Sequence, residues 1–304
     1  MAVVQASPRR AWTAAAVSIV MWATAFPAIR AAVRSYDPTT LTTARLVVAS
    51  VCLAVVAPFV HIPRPRLRDA PLLVLCGLLG MAGYQLLLNW GEETVAAGTA
   101  SLLVAGAPAY SVVLAALVLH EPLTARRIRG MGLALLGAAM IALGSGGRLH
   151  LELGTLLVIG AALALGTYHV AHRPLLVRYP AVAVVCYATW SASLLTLPLL
   201  ATVSAPFAEA DAGSMAAVAF LGVGPSAIAF VTWAYAVHRL GVSAAATSLY
   251  LVPAVALPVA GLTLGEVPHA IELAGGALAI AGVAVANRRP RPATAAADVA
   301  APAR

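Results

Sequence analysis

The chain has no lysine. All 19 of its basic residues are arginine, there are 11 acidic residues, and charged side chains make up only 10% of the 304 positions. So few charges cannot clothe the surface of a soluble domain of this length. Cysteine is equally scarce: Cys52, Cys76 and Cys186 lie apart in apolar runs. Their spacing excludes a metal ligand set and a disulfide framework, and they read as small apolar residues. No H-E-x-x-H, G-x-S-x-G or P-loop lysine occurs, so an intramembrane enzyme or a nucleotide-driven pump lacks its catalytic constellation. No Asp or Glu lies well inside an apolar run either. This weakens a carboxylate proton relay and leaves facilitated diffusion or histidine-based coupling open. No cofactor or metal site is expected.

What the chain has in abundance is apolar sequence: 62% hydrophobic residues and a mean hydropathy of +0.92. A membrane span takes roughly 20 residues. Spans are expected at 11–32, 39–60, 70–91, 96–119, 129–146, 153–172, 181–204, 214–237, 243–264 and 270–287. Turn chemistry separates them at Asp37-Pro38, Pro63-Arg-Pro65, Gly144-Ser-Gly-Gly147, Tyr179-Pro180 and Glu266-Val-Pro268. The arginines then sort by side. Arg9, Arg10, Arg64, Arg66, Arg68, Arg126, Arg127, Arg129, Arg173, Arg178, Arg239, Arg288, Arg289 and Arg291 all fall on one face of a ten-span arrangement. The opposite loops hold Glu92, Glu93, Glu152, Glu209, Asp211 and Glu266. The positive-inside rule places both termini in the cytoplasm. The net charge of +8 is therefore a topological signal and not a nucleic-acid footprint.

The halves repeat. An offset of 145 aligns Pro108 with Pro253, Leu119 with Leu264, Glu121 with Glu266, Gly130 with Gly275 and Gly137 with Gly282. An offset of 143 aligns Thr24 with Thr167, Arg30 with Arg173, Tyr36 with Tyr179 and Ser50 with Ser193. Five spans per half make the repeat inverted, the architecture of carriers whose site lies between the halves. The expected fold is an all-α polytopic membrane protein of ten helices, two inverted five-helix repeats around a central cavity. The expected units are residues 1–146, residues 147–290 and a short cytoplasmic tail, 291–304.

Several residues then carry a resemblance. Trp22-Ala-Thr-Ala-Phe26 resembles the W-x-x-x-F element that opens EamA-type members of the drug/metabolite transporter superfamily. Ala44-Arg45-Leu46 looks like their Leu-Arg-Phe element. Ala97-Gly-Thr-Ala-Ser-Leu-Leu103, Pro108 and Leu119-His-Glu121-Pro-Leu-Thr124 resemble their stretch from span 4 into span 5, and Ala244-Ala-Ala-Thr-Ser-Leu-Tyr250, Pro253 and Leu264-Gly-Glu266 form a looser second copy. The resemblance covers nearly the full chain. It implies a multi-pass carrier of the bacterial inner membrane for small metabolites, with amino-acid exporters, some favouring aromatic substrates, among its relatives. It also implies that the first four helices of each half enclose the cavity while the fifth packs outside. Partners are then the lipid bilayer and a small-molecule substrate, in a monomer or a homodimer.

The site residues follow from cost and chemistry. Arg45 inside span 2 costs about 2.5–3.5 kcal/mol on insertion scales. It is either an anchor for a substrate carboxylate or a snorkelling packing residue. Gln85 and Asn89 share one helix face with Tyr84 nearby; they bind substrate or bond neighbouring helices. Trp22 with Phe26, Tyr187 with Trp190, and Phe230 with Trp233 pair at helical spacing, and Tyr110, Tyr168 and Tyr250 add polar tips. Rings at such depth line a cavity or simply pack. His169 and His172 are proton-relay or packing residues. Glu121 and Glu266 sit at span ends, where a turn or cap suits them. Pro108 and Pro253 interrupt matched spans and are the expected gates. Gly130, Gly137, Gly275 and Gly282 suit close helix approach in spans 5 and 10.

Overall fold

The computed structural model describes residues 8–32, 35–60, 62–95, 100, 103–144, 152–202, 211–264 and 269–288, and among these all regular structure is helical. The first half holds α1 (Pro8–Ala23), α2 (Ala25–Ala32), α3 (Pro38–Val56), α4 (Ala70–Cys76), α5 (Tyr84–Gly91), α6 (Gly106–Val118) and α7 (Ala125–Gly144). The second holds α8 (Leu153–Ala171), α9 (Arg173–Arg178), α10 (Ala181–Thr196), α11 (Ala212–Leu221), α12 (Ala229–Leu240), α13 (Val242–Ser248), α14 (Leu251–Leu264) and α15 (Ala270–Asn287). Six stretches are continuous, long and apolar enough to cross a bilayer: Pro38–Phe59, Leu67–Gly91, Leu153–Arg178, Ala181–Ala201, Ala212–Leu240 and Ala270–Asn287. Large apolar side chains such as Phe59, Leu67 and Leu262 are exposed, as lipid-facing surfaces require.

Local chemistry sets the helix ends. Asp37 caps α3: its Oδ1 accepts from the Thr39 and Thr40 amides at 2.9 and 3.1 Å, with Pro38 opening the helix. Asp211 caps α11 in the same way through Gly213 and Ser214. The expected span 6 ends too early. Helix continues through α9, so Arg173 and Arg178 lie on a helical extension and not in a loop. There Arg178 and the Tyr179 hydroxyl both donate to Asp69, which ties α9 to the start of α4. Likewise α7 begins at Ala125, so Arg126, Arg127 and Arg129 form its first turns.

Spans 1, 4 and 9 are discontinuous, whereas span 5 is the single helix α7. Span 1 breaks at Thr24, whose hydroxyl donates to the Val20 and Met21 carbonyls, a back-bond that bends helices. Span 4 breaks at Ala105 and span 9 at Leu249–Tyr250. The prolines expected to interrupt these spans do so from an unexpected place. Pro108 and Pro253 are the third residues of α6 and α14, in a first turn where a missing N–H removes no helix bond. Spans 3 and 8 each contain a π-helical segment, Gly77–Gly83 and Gly222–Ile228. Their limits differ by the same 145 positions, and Pro225 sits inside the second.

Helix pairs are held by small residues and a few polar bonds. A Cβ at Gly137 would stand 2.5 Å from Gly275 O, and one at Gly282 would stand 2.6 Å from Gly130 O. Gly130 meets Gly282 while Gly137 meets Gly275, so α7 and α15 run antiparallel. Ser50 and Ser193, matched by the sequence offset, share a 2.6 Å hydrogen bond between α3 and α10. Glu121 caps as expected, but across the halves: its two oxygens accept from the Val242 and Ser243 amides at 2.9 Å each, at the start of α13. His120, at φ 56°, turns the chain to place it. Glu266 and the Gly144–Gly147 and Glu266–Pro268 turns lie wholly or mainly outside the described residues.

Candidate functional site

A cavity of about 130 Å³ opens where α2, α3, α5, α6, α8, α12 and the span 9 break converge. Both halves contribute to its wall. Antiparallel packing of span 3, from its π segment through α5, on α8 defines its axis: Gly91 lies against Gly154 at one end, and Gly80 lies against Tyr168 at the other. Glu92 lines the first end and His169 the second.

Arg45, on α3, is 6% exposed and lines the cavity. Its Nε donates to Ser226 Oγ at 3.1 Å, in the second π segment. The remaining guanidinium N–H groups have no acceptor among the described residues. One turn matters on α5. Asn89 Nδ2 donates to Thr42 Oγ1 at 2.8 Å and so ties α5 to α3. Gln85 lines the same cavity at 2% exposure, yet neither amide atom has a partner among the described residues. Tyr84 lines it too. The sequence offered both amides either role; the tertiary structure gives the helix bond to Asn89 and leaves Gln85 unpaired.

Aromatic rings close the His169 end. Trp22 lies 5.4 Å from Phe230 and 5.5 Å from Trp233, ring centre to ring centre, so the pairs that matter form between halves. Trp22 Nε1 donates to the Pro225 carbonyl at 3.1 Å, a carbonyl held within the π segment. His169 packs 5.0 Å from Trp233, and Tyr168 stacks on His172 at 4.5 Å. Trp22, His169 and Phe230 face the cavity, while Tyr168 and Trp233 are wholly buried behind them. Ala25, Ile29, Leu88, Val104, Leu165 and Val252 supply an apolar wall, and Pro108 and Pro253 border it at the two helix breaks.

Four expected residues sit elsewhere, each for a visible reason. Tyr187 donates to the Pro63 carbonyl and Trp190 to the Ser50 carbonyl, so this pair fastens α10 to the first half. Tyr110 packs on Gly166 and bonds Thr167 at 3.3 Å. Tyr250, 1% exposed, fills a cluster with Ala105, Ala134 and Ala138. The Phe26 side chain lies outside the described residues. Sequence reasoning missed Ser226 and Ser111, and it missed the π segments. Gly77 and Gly222, matched at the same offset, and the Gly224-Pro225 step were the available signals.

Outside the spans, Asp211 is the notable titrating group. Hydrogen bonds from the Ser214 hydroxyl and amide, then from Ser35, hold its carboxyl down at about 2.

The chain matches the description of the EamA-like transporter family twice, at residues 10–143 and 152–288. It is 50% identical over 273 residues to a probable terminal-alkyne amino-acid exporter of Streptantibioticus cattleyicolor, covering 90% of this chain and 92% of the relative. It is 35% identical to an uncharacterized transporter of Bacillus subtilis, covering 87% of each chain. A probable amino-acid metabolite efflux pump of Salmonella typhimurium is 25% identical, over 87% of this chain and 90% of the relative. A solved crystal structure with 23% identity superimposes at a TM-score of 0.77, over 92% of this chain and 97% of the other.

Proposed function

The chain belongs to the EamA-like transporter family, and from that premise we propose that it exports amino acids across the bacterial inner membrane by alternating access. It is a membrane transporter and not an enzyme. The observation that carries the amino-acid reading is Arg45. A guanidinium fork matches a carboxylate, and this one lines a cavity between the halves with most of its N–H groups uncommitted among the described residues. Around it the wall is mainly apolar and aromatic. That suits an amino acid with a slim apolar side chain, the kind named in the 50%-identical exporter.

In this reading the ten spans form two inverted repeats of five, with both termini cytoplasmic. Three features support the inversion: the antiparallel α7–α15 pair, the Ser50–Ser193 bond between matched positions, and the two π segments at one offset. The Glu121 cap and the aromatic floor seal the cytoplasmic side, and Glu92 marks the mouth, so the cavity faces outward. Pro108 and Pro253, each starting a helix piece beside the cavity, are the hinges on which the halves exchange access.

The test is a proteoliposome panel of labelled amino acids, including propargylglycine, with nucleobases and sugars as alternatives, run with and without a pH gradient. Amino-acid movement is the expected result. Arg45→Ala should raise the KM for carboxylate-bearing substrates by about tenfold or more. Movement of none of the classes by folded protein would overturn the carrier assignment.

A further inference from the structure

Two polar side chains on the cavity wall carry polar atoms with no partner among the described residues, while their neighbours are bonded. Asn89 bonds Thr42, Trp22 bonds Pro225 and Arg45 bonds Ser226. Gln85 leaves both Oε1 and Nε2 unpaired, and His169 leaves Nε2 unpaired, although they are 2% and 0% exposed. An unmet buried polar group carries an appreciable penalty unless a ligand meets it. Resting on the amino-acid reading above, we propose that Gln85 and His169 form the pole of the cavity that receives the substrate's ammonium group, with Ser111 as the positioning residue behind His169.

Ser111 fixes which histidine nitrogen is available. Its Oγ lies 2.8 Å from the Ala107 carbonyl, one turn back on the same helix, and 3.1 Å from His169 Nδ1. A hydroxyl has one hydrogen. Ala107 O takes it at the short distance, and Gly166 O is farther away at 3.4 Å. Oγ therefore accepts from Nδ1–H, and Nε2 keeps its lone pair as an acceptor at the cavity wall. Gln85 Oε1 is a second acceptor on the facing helix, and Trp22 and Phe230, which also line the cavity, are rings of the kind that attract an ammonium. An α-amino acid bears its two charged groups on one carbon. A carboxylate held by Arg45 thus brings an ammonium with three donors into reach of these acceptors, and Gln85 Nε2 remains free to donate to the carboxylate.

The experiment compares L-propargylglycine with 4-pentynoic acid, the same carboxylate and side chain without the amine. Binding is titrated as thermal stabilisation of the detergent-purified protein, so it does not depend on transport. Wild type should bind the amino acid on the order of tenfold or more tightly than the deaminated acid. His169→Ala and Gln85→Leu should bring that ratio close to one, while His169→Gln, which keeps an acceptor at the same reach, should hold most of it. Ser111→Ala should lower the ratio and Ser111→Thr should restore it; a merely structural role would weaken both ligands alike. A wild-type ratio near one, or variants that lose both ligands equally, overturns the proposal. Absence of transport in the vesicle panel overturns the exporter reading instead, and the two failures are read in separate assays.

Discussion

At the residue scale, the site is decided by which polar groups have already been used. Arg45 was legible from sequence because a charge within an apolar run is costly. Ser226 was not, since a serine among glycines carries no such signal. The Nε–Ser226 bond orients the guanidinium, so Arg45→Lys should keep the charge and lose the fork. We expect transport KM for amino acids to rise about tenfold with little change in protein stability, measured by uptake kinetics beside thermal melts. Asp211 gives a pH-dependent counterpart outside the spans. Its carboxyl is held down at about 2 by Ser214 and Ser35, below the ordinary aspartate value of 3.8. The stabilisation is fully present above pH 3.8 and is lost as pH falls through about 2. The melting-temperature gap between wild type and Asp211→Asn should therefore be constant near neutrality and close over that acid window.

At the element scale, glycine and glutamate decide how helices meet. In α7 and α15 a Cβ has no room: at Gly282 it would stand 2.6 Å from Gly130 O and 2.8 Å from Ala134 Cα. Gly282→Leu should force the pair apart and cost about 1–3 kcal/mol or more. Gly132, which has open space, should accept alanine without loss. Thermal unfolding of both variants in one detergent checks the contrast. Glu121→Ala removes the cap from α13 and should cost about 0.5–2 kcal/mol, visible as earlier hydrogen exchange at Val242 and Ser243. The glycine repeat in these spans was readable in the sequence as a close-packing signal. That the two spans pack on each other was not, because periodicity shows a smooth face without naming what covers it. The breaks in spans 4 and 9 were similarly half legible. The prolines marked them, but the helix stops three residues earlier, at Ala105 and Tyr250.

At the scale of the whole molecule, the cavity's two ends differ. Glu92 lines one, and the rings of Trp22, Phe230 and Trp233 pack around the other with His169. An outward-facing arrangement predicts that Ile29→Cys, on the cavity wall, reacts with a membrane-impermeant maleimide from the external side and is protected by substrate. Ala171→Cys, beyond the aromatic floor, should react only after permeabilisation. Native Cys76 and Cys186 are buried and Cys52 is half-buried, so their replacement is the starting background. Equal external labelling at both positions would reverse the assignment of sides.

The sequence by itself determined the class: a helical membrane chain without catalytic constellations, whose motif order points to the EamA-like transporters. Those properties are additive along the chain, through hydropathy, charge placement and local turn chemistry. Only the tertiary structure decided which side chains form the site. In a bilayer the lipid-facing and protein-facing surfaces of a helix are both apolar, so a one-dimensional pattern cannot separate a ring that lines a cavity from one that fastens a neighbour. Tyr187 and Trp190 found carbonyls across an interface, and Asn89 found Thr42. Gln85, His169 and the Arg45 fork were left over, and the structure sets all three around one space.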